Sequence, residues 1–365
     1  IPPAPALWPT QYLKANSLTT MHKNLQLFYV LIAVTLLALG ARWYLNRGDY
    51  ANLNTEEAAA FAISDTSMVT RIVIADKDGF TADLRREHGQ RYWSLNNRHN
   101  ARKDAVELLL KTFRRVAIKG PVPQSERPTV MRMLAGRAKK VEIFLQGSAS
   151  PVKTWYIGTA TSNHTGTYML LETKNGMAEE PFIVHMEGFT GFLSTRFFTD
   201  EREWRYTGIF DHPGRSLAKA ECIFHEQPSE SWGLTADEEG TLALATPQGQ
   251  SVGYADTVGV QDLFLRYRKV HLETYNHHLT PEGLDSMKNQ AIPAFTLRTW
   301  AAYESEPDSI QLFWKSPAVV EYDEQGQPKP WDGSRMYGLV NGDEVVLVQR
   351  FVFDPLLLPL SAMTR

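Results

Sequence analysis

Three histidines that lie close together, His271, His277 and His278, are the first candidates for catalytic or metal chemistry. Glu273 and Asp285 lie near them in the sequence and would add carboxylate ligands. A zinc site needs about three convergent ligands, and a helical histidine pair is usually spaced i, i+4. Here His271 falls on the apolar face of a predicted helix, while the adjacent His277 and His278 point apart in an extended chain. We therefore interpret the group as a core-edge histidine followed by a polar loop. A metal-dependent enzyme or hydrolase that uses His277 is the alternative.

The single cysteine, Cys222, is followed three residues later by His225. Residues three apart in a strand point to opposite faces of a sheet, so this thiol and imidazole would not meet at one metal ion. One cysteine also leaves no partner for an intramolecular disulfide. The sequence predicts that Cys222 is a free thiol in the core.

The segment Asn163–Gly166 (NHTG) precedes a predicted strand and is interpreted as a turn, with the rim of a binding surface as the alternative. A catalytic histidine there would need a carboxylate or a nucleophile beside it. The sequence contains no serine-hydrolase elbow, no P-loop and no Rossmann glycine pattern. We predict no catalytic residue, no metal site and no cofactor.

The segment Phe197–Arg205 (FFTDEREWR) alternates acidic and basic residues beside three aromatic ones. A solvated helix or linker is one interpretation, because mixed charges support exposed helices. Aromatic and arginine side chains are also typical of binding hot spots. The sequence-based interface candidates are therefore Phe197, Phe198, Trp204 and Arg205.

An apolar stretch near the beginning of the sequence, Leu25–Leu45, has the length that a helix needs to cross a bilayer. Tyr29 at one end and Trp43 and Tyr44 at the other are typical of membrane interfaces. A cleaved signal peptide is the alternative, but Arg42 makes a poor cleavage site and the apolar run is long for one. We predict a retained anchor in the lipid bilayer.

The orientation of this anchor is not decided by charge, because basic residues flank it on both sides. The short N-terminal side favours a cytoplasmic N-terminus and a C-terminal bulk outside the cytoplasm. We therefore predict a single-pass protein of the bacterial inner membrane with a periplasmic bulk.

The rest of the chain repeats one order of predicted elements. Hairpin strands come first, then an amphipathic helix, a short second helix and four more strands. In the first part, Gly120–Pro121 is predicted to end the amphipathic helix. In the second part, Thr280 is predicted to cap the short helix and Pro281 to begin it. Each part is predicted to be α+β, a mainly antiparallel sheet with one principal packed helix. The predicted organisation is a disordered leader (1–24), a transmembrane helix (25–45), a linker (46–64) and two related units (65–205 and 206–365).

Five stretches carry a resemblance to a known family: FAISDTSMVTRIVIADKDG, ARKDAVELLLKTFRRVAIKGPVP, GTYMLLE, TGFLSTRFFTDEREWR and MYGLVNGDEVVLVQRFVFDPLL. They resemble a bacterial family known as domain of unknown function number 4340. The resemblance covers most of 61–360, and the order of the blocks is its most specific feature. It implies a single-span envelope protein with domains similar to those of auxiliary subunits linked to gliding-type transporters, and it implies no catalytic residue.

The formal net charge of −3, with acids and bases mixed along the chain, gives no support for a nucleic-acid partner. The leading hypothesis is a non-catalytic scaffold or accessory subunit of an envelope complex of the transporter or motility type, bound to other envelope proteins. The enzyme that uses His277 is one alternative. A peptide- or glycan-binding module with its site in the groove between the two units is the other, and an apolar groove would support it.

Overall fold

The computed structural model describes residues 29–40, 61–87, 89–214, 216–254 and 256–364. Residues 29–40 are helical, whereas the predicted leader and the ends of the predicted anchor lie outside the described residues. Among the described residues, no helix combines the length and apolarity that a membrane crossing requires. Most of the predicted linker, 46–60, also lies outside them.

The last part of that linker belongs to the fold. Phe61 and Ile63 are buried in the first hydrophobic core, and the Ile63 amide donates to the carbonyl of Phe113. Their apolar side chains favour burial over solvent exposure. The first hydrophobic core therefore includes side chains from the end of the predicted linker.

The N-terminal half, residues 61–205, is built on a ten-stranded antiparallel sheet. Its strand order is β4-β3-β2-β1-β6-β7-β8-β10-β5, with β9 paired to β8. The strands are β1 (Val69–Ala75), β2 (Thr81–Arg85), β3 (Ser94–Leu95), β4 (His99–Asn100), β5 (Val116–Pro121), β6 (Lys139–Leu145), β7 (Lys153–Ala160), β8 (Thr167–Thr173), β9 (Gly176–Met177) and β10 (Phe182–Met186).

Helices cover both faces of this sheet. Helix α1 (Lys103–Arg115) packs its apolar face on the main core, which includes Trp155 and Met169. Helix α2 (Arg127–Arg137) packs on the opposite face, against the smaller cluster that contains Leu170. Because neighbouring strand residues point to opposite faces, Met169 packs in the core under α1 and Leu170 packs in the cluster under α2.

The C-terminal half, residues 206–364, contains an eight-stranded antiparallel sheet in the order β15-β14-β13-β12-β17-β18-β19-β20. A separate two-stranded sheet pairs β11 with β16. The strands are β11 (Gly208–Asp211), β12 (Leu217–Phe224), β13 (Trp232–Ala236), β14 (Leu242–Ala245), β15 (Ser251–Val252), β16 (Lys269–His271), β17 (Phe295–Ala301), β18 (Asp308–Phe313), β19 (Arg335–Val340) and β20 (Glu344–Gln349).

Two helices of the C-terminal half also lie on opposite faces of its sheet. Helix α3 (Thr257–Arg266) packs on the large core, and helix α4 (Pro281–Asn289) packs on the smaller cluster around Phe313. The predicted start of α4 is confirmed, since the Thr280 hydroxyl accepts from the Gly283 amide at 3.2 Å. Two single-turn helices follow β20: α5 (Arg350–Phe353) and α6 (Leu360–Met363).

The predicted class is confirmed as mixed α+β with antiparallel sheets and few helices. One detail of the prediction is wrong. Helix α1 ends at Arg115 and the chain continues directly into β5, whereas the sequence placed the end of the helix at Gly120–Pro121. The same error placed His271 on a helix, although it lies in β16. In both places the chain gains more by pairing along the edge of a sheet than by extending the helix.

Candidate functional site

A cavity of about 670 Å³ lies on the α2 face of the N-terminal half, between β5, the start of α2 and the turn from β7 to β8. We call it the β5–α2 cavity. Its volume falls in the range of small-molecule and peptide sites. Its wall combines apolar and polar side chains, and the ones used below are Lys119, Pro121, Val122, Arg127, Thr165 and Ile183.

The floor of this cavity is set by strand register. Gly120, Ile183 and Tyr168 lie side by side on β5, β10 and β8. Ile183 and Tyr168 point to the α2 face, where they pack on the Val130 and Leu134 cluster. The sheet therefore supplies an apolar base with polar groups at its ends.

The predicted turn Asn163–Gly166 forms one end of the cavity. The Asn163 side-chain oxygen accepts hydrogen bonds from the Thr165 amide at 3.1 Å and from the hydroxyls of Thr161 and Thr165 at 2.8 Å each. His164 carries the positive φ of the turn, 55°. This network fixes the segment as a turn, as the first interpretation predicts, and the turn lies at the edge of the cavity.

Lys119 on β5 points into this end of the cavity. Its ammonium donates to the Thr165 hydroxyl at 2.9 Å. Within the described residues, no carboxylate lies at ion-pair distance from Lys119. The ammonium therefore carries an unbalanced charge and two further donors toward the cavity.

The start of α2 forms the other end. Arg127 makes an ion pair with Glu180, but its Nε is buried and finds no hydrogen-bond partner among the described residues. The Tyr168 hydroxyl donates to Glu126 at 3.1 Å, and burial together with this bond raises the pKa of Tyr168. This Nε has almost no accessible surface, so a ligand in the cavity would not reach it, and Arg127 bounds this end through its ion pair with Glu180.

These contacts favour binding over nucleophilic chemistry. The Thr165 hydroxyl accepts from Lys119 and directs its own proton to the Asn163 amide oxygen, which is not a base. An activated nucleophile needs a general base at the position that Asn163 occupies. The arrangement fixes a cation at the rim, as a recognition site requires.

A place in the C-terminal half has a similar pairing of residues and different chemistry. Thr274, Leu347 and Tyr337 lie side by side as Gly120, Ile183 and Tyr168 do. Glu273, which precedes Thr274 as Lys119 precedes Gly120, accepts bidentate hydrogen bonds from Arg335 at 2.7–3.0 Å. Here the chain itself supplies both charges.

Of the four sequence-predicted interface residues, Phe197 and Trp204 are buried, and Phe198 and Arg205 are half-buried. Phe197 and Trp204 have no exposed surface, and the Trp204 indole donates to the Phe198 carbonyl at 2.9 Å. Arg205 stacks over Tyr275 at 3.8 Å and pairs with Glu344 at 3.2 Å. The structure places these residues in the first core and at the junction of the two halves, because their aromatic rings are needed to fill it.

A second cavity of about 390 Å³ lies at the junction of the two halves. Polar side chains line it, and Tyr92 and Tyr206 on its wall each donate to Asp211 at 2.9 Å. These bonds and nearby Arg91 hold the pKa of the Asp211 carboxyl below its usual range, although burial alone would raise it. The cavity is not the apolar groove that would support peptide or glycan binding between the units.

The histidines make ordinary structural contacts. His271 meets the Thr207 hydroxyl at 3.1 Å, and the His277 ring accepts from the Leu279 amide at 3.1 Å. Burial lowers the pKa of both, which favours the neutral ring at pH 7. His278 has a positive φ of 58°. In the described part of the chain, no group of three possible ligands is placed to hold a metal ion.

Cys222 is fully buried beside Tyr267, and burial raises the pKa of its thiol. His225 bonds to the Thr296 hydroxyl at 2.8 Å and does not share a site with the thiol. The thiol is therefore a packing group, as the strand spacing predicts.

Comparison with family models, with curated proteins and with solved structures gives no match to this chain. The resemblance to the family of unknown function stays a prediction. Sequence reasoning missed Lys119 and Arg127, and its one available signal was the turn Asn163–Gly166, which it named as a possible rim.

Proposed function

We propose that the chain is a non-catalytic binding or accessory subunit of an envelope complex. The observation that carries this proposal is the β5–α2 cavity, where Lys119 has no carboxylate partner among the described residues. Donors held in this way recognise a group that another molecule supplies. The contacts of Thr165 and of the histidines offer no activated nucleophile.

We further propose that the two halves are copies of one α+β unit. The order β4-β3-β2-β1-β6-β7-β8-β10 matches β15-β14-β13-β12-β17-β18-β19-β20 position by position. The paired helices α1 and α3, and α2 and α4, occupy the same places in the two orders. Such agreement in order and register supports duplication followed by divergence of the sites.

The proposal includes a single transmembrane helix at Leu25–Leu45, with the two units on the periplasmic side of a bacterial inner membrane. Its support is the length and apolarity of the stretch and its aromatic ends. The resemblance to single-span envelope proteins points the same way. A C-terminal reporter that is active only in the cytoplasm would contradict the orientation.

Mass spectrometry of proteins that co-purify with the tagged full chain from gently solubilised native membranes tests the function. We expect a stoichiometric set of envelope proteins, retained by Lys77→Gln and lost by Lys119→Glu. Lys77 is an exposed cation in the same half and serves as the matched control. A chain that purifies alone under these conditions contradicts an accessory role.

A further inference from the structure

We propose that the β5–α2 cavity binds a carboxylate side chain presented by an extended peptide segment of a partner protein. The inference rests on the proposed function and names the chemistry that the partner must present. The carboxylate accepts from the Lys119 ammonium at the Thr165 end of the cavity, and the segment runs over the apolar base toward Arg127.

The charges that line the cavity differ at its two ends. At the α2 end, Glu180 pairs with Arg127, and Glu126 keeps its negative charge while it accepts a hydrogen bond from the Tyr168 hydroxyl. Lys119 is left with a neutral hydroxyl as its hydrogen-bond partner among the described residues. A carboxylate is the complement of an ammonium held in this way, because charge-assisted bonds are about twice as strong as neutral ones.

The second argument comes from the other half of the same chain. At the place with similar pairing, the C-terminal half has Glu273, whose carboxylate Arg335 binds with two prongs. Both halves thus put a charged residue next to a residue that pairs with the strand beside it. In the C-terminal half the chain supplies the opposite charge, and in the N-terminal half no described residue supplies it.

The third argument concerns the shape of the ligand. Strand β5 is the last strand of its sheet, and Gly120 and Pro121 on it are partly exposed beside the cavity. Pro121, Val122 and Ile183 give the cavity an apolar wall, which a bare inorganic anion would not use. A peptide segment satisfies both the cation and the wall, since peptides bind at strand edges with side chains in neighbouring pockets.

The experiment uses the full chain in detergent and two synthetic peptide pools, Ac-X-X-Glu-X-X-NH2 and Ac-X-X-Gln-X-X-NH2, with apolar residues at X. Retention of each pool on the immobilised protein is measured by mass spectrometry. We expect the glutamate pool to be retained about tenfold more strongly, as a charged hydrogen bond predicts. Lys119→Gln should abolish this preference, while Lys77→Gln should leave it intact.

Glu126→Gln should change the retention of the glutamate pool in the opposite direction to Lys119→Gln. Removing this negative charge from the cavity should strengthen retention of the glutamate pool severalfold, because like charges repel. A role of Lys119 in folding alone would not produce this gain. Unchanged or weaker retention in Glu126→Gln contradicts a carboxylate in the cavity.

Sodium hexanoate serves as a competitor that carries a carboxylate and an apolar tail without a peptide backbone. Full displacement of the glutamate pool at equal concentration would overturn the peptide part of the proposal in favour of a free carboxylic acid. Equal retention of both pools, or no retention of either, would overturn the carboxylate site. If the carboxylate site fails in this way and envelope proteins still co-purify with the chain, the proposed function is retained. Failure of the carboxylate site is therefore distinguishable from failure of the proposed function.

Discussion

Two turns, one in each half of the chain, share a pattern of side-chain hydrogen bonds and differ in backbone and charge. Asn163 and Asp332 each stand two residues before a hydroxyl residue and accept hydrogen bonds from both its amide and its hydroxyl, Thr165 in one half and Ser334 in the other. His164 in the first turn has a positive φ of 55°, whereas Gly333 in the second does not have a positive φ. Asp332 also accepts from the ammonium of Lys315 at 2.8 Å. The shared pattern therefore fits more than one backbone geometry and more than one charge.

The connections that carry these turns differ in length. Residues 161–166 join β7 to β8, whereas the much longer segment 314–334 joins β18 to β19. The long segment is held by the stacked rings of Trp314 and Trp331, whose centroids are 6.1 Å apart, and by the Lys315–Asp332 pair. The longer connection thus contains an ion pair of its own, whereas the shorter one offers Lys119 only a neutral hydroxyl.

The largest expected effect is at Asp332. The side chains of Asp332 and Lys315 are mostly buried. Asp332→Ala therefore leaves the Lys315 ammonium without its carboxylate partner and removes the hydrogen-bond acceptor of the turn. We expect a loss of about 3 kcal/mol in the free energy of unfolding, as for other broken buried pairs. Asn163→Ala, which removes only the neutral acceptor, should cost about 1 kcal/mol. Denaturant unfolding of the full chain measures both, and equal losses would contradict the comparison.

The junction of the halves gives the next largest effect. Arg205→Ala removes the contact over Tyr275 and the pair with Glu344, so we expect a loss of about 2 kcal/mol. Arg202→Ala, which removes only an exposed pair with Asp200, should stay within about 0.5 kcal/mol. Thermal unfolding of the two variants side by side tests this, and an Arg205 variant as stable as the Arg202 variant would refute it.

Acid should weaken the C-terminal turn before the N-terminal one. Burial alone raises the pKa of Asp332, but the bonds from Lys315 and Ser334 outweigh it and hold the pKa well below its usual range. A depressed pKa stabilises the fold above the unfolded value of about 4, and this contribution is lost as pH falls below it. We expect about 1 kcal/mol of loss by pH 3 from this group.

The control for the acid prediction is Asp332→Asn, which has no carboxyl group to titrate. Its unfolding free energy should fall less between pH 7 and pH 3 than that of the unmodified chain. An equal fall in the unfolding free energy of the two proteins between pH 7 and pH 3 would show that Asp332 does not cause the acid sensitivity.

The smallest expected effect separates Glu273 from Lys119. Glu273→Gln breaks the pair with Arg335, which is partly exposed, and should cost about 0.5–1 kcal/mol. Lys119→Gln breaks no ion pair among the described residues and should change stability by less than about 0.5 kcal/mol. Chemical denaturation at low salt measures the difference. A Lys119 variant that destabilises more than the Glu273 variant would indicate an internal partner for Lys119.

Most strands and the packed helices could be predicted because the spacing of their apolar residues is visible within a few neighbouring positions. Val106, Leu109 and Phe113 recur at helical spacing and are buried on one face of α1. Strand β5 was missed because Val116 fits both that helical period and the alternation with Ile118, and only pairing with β10 distinguishes them.

The burial of the sequence-predicted interface candidates could not be predicted from the sequence. The charges of Phe197–Arg205 are typical of an exposed segment, yet Phe197 and Trp204 fill the core and Arg205 reaches across to Tyr275. Lys119 was overlooked because an isolated lysine in a strand has no distinguishing pattern. The role proposed for Lys119 depends on its hydrogen bond to Thr165. Thr165 is distant in sequence and is brought near by the order of β5, β10 and β8.

The sequence by itself determined the α+β class, the antiparallel strands, the cap of α4 and the thiol in the core, since these follow from the spacing of neighbouring side chains. Only the tertiary structure decided which charges find partners. Glu273 meets Arg335 while Lys119 meets a hydroxyl, and Arg205 turns inward to Tyr275. The physical reason is that an ion pair depends on burial and on distances between residues far apart in the chain, which strand order and register set.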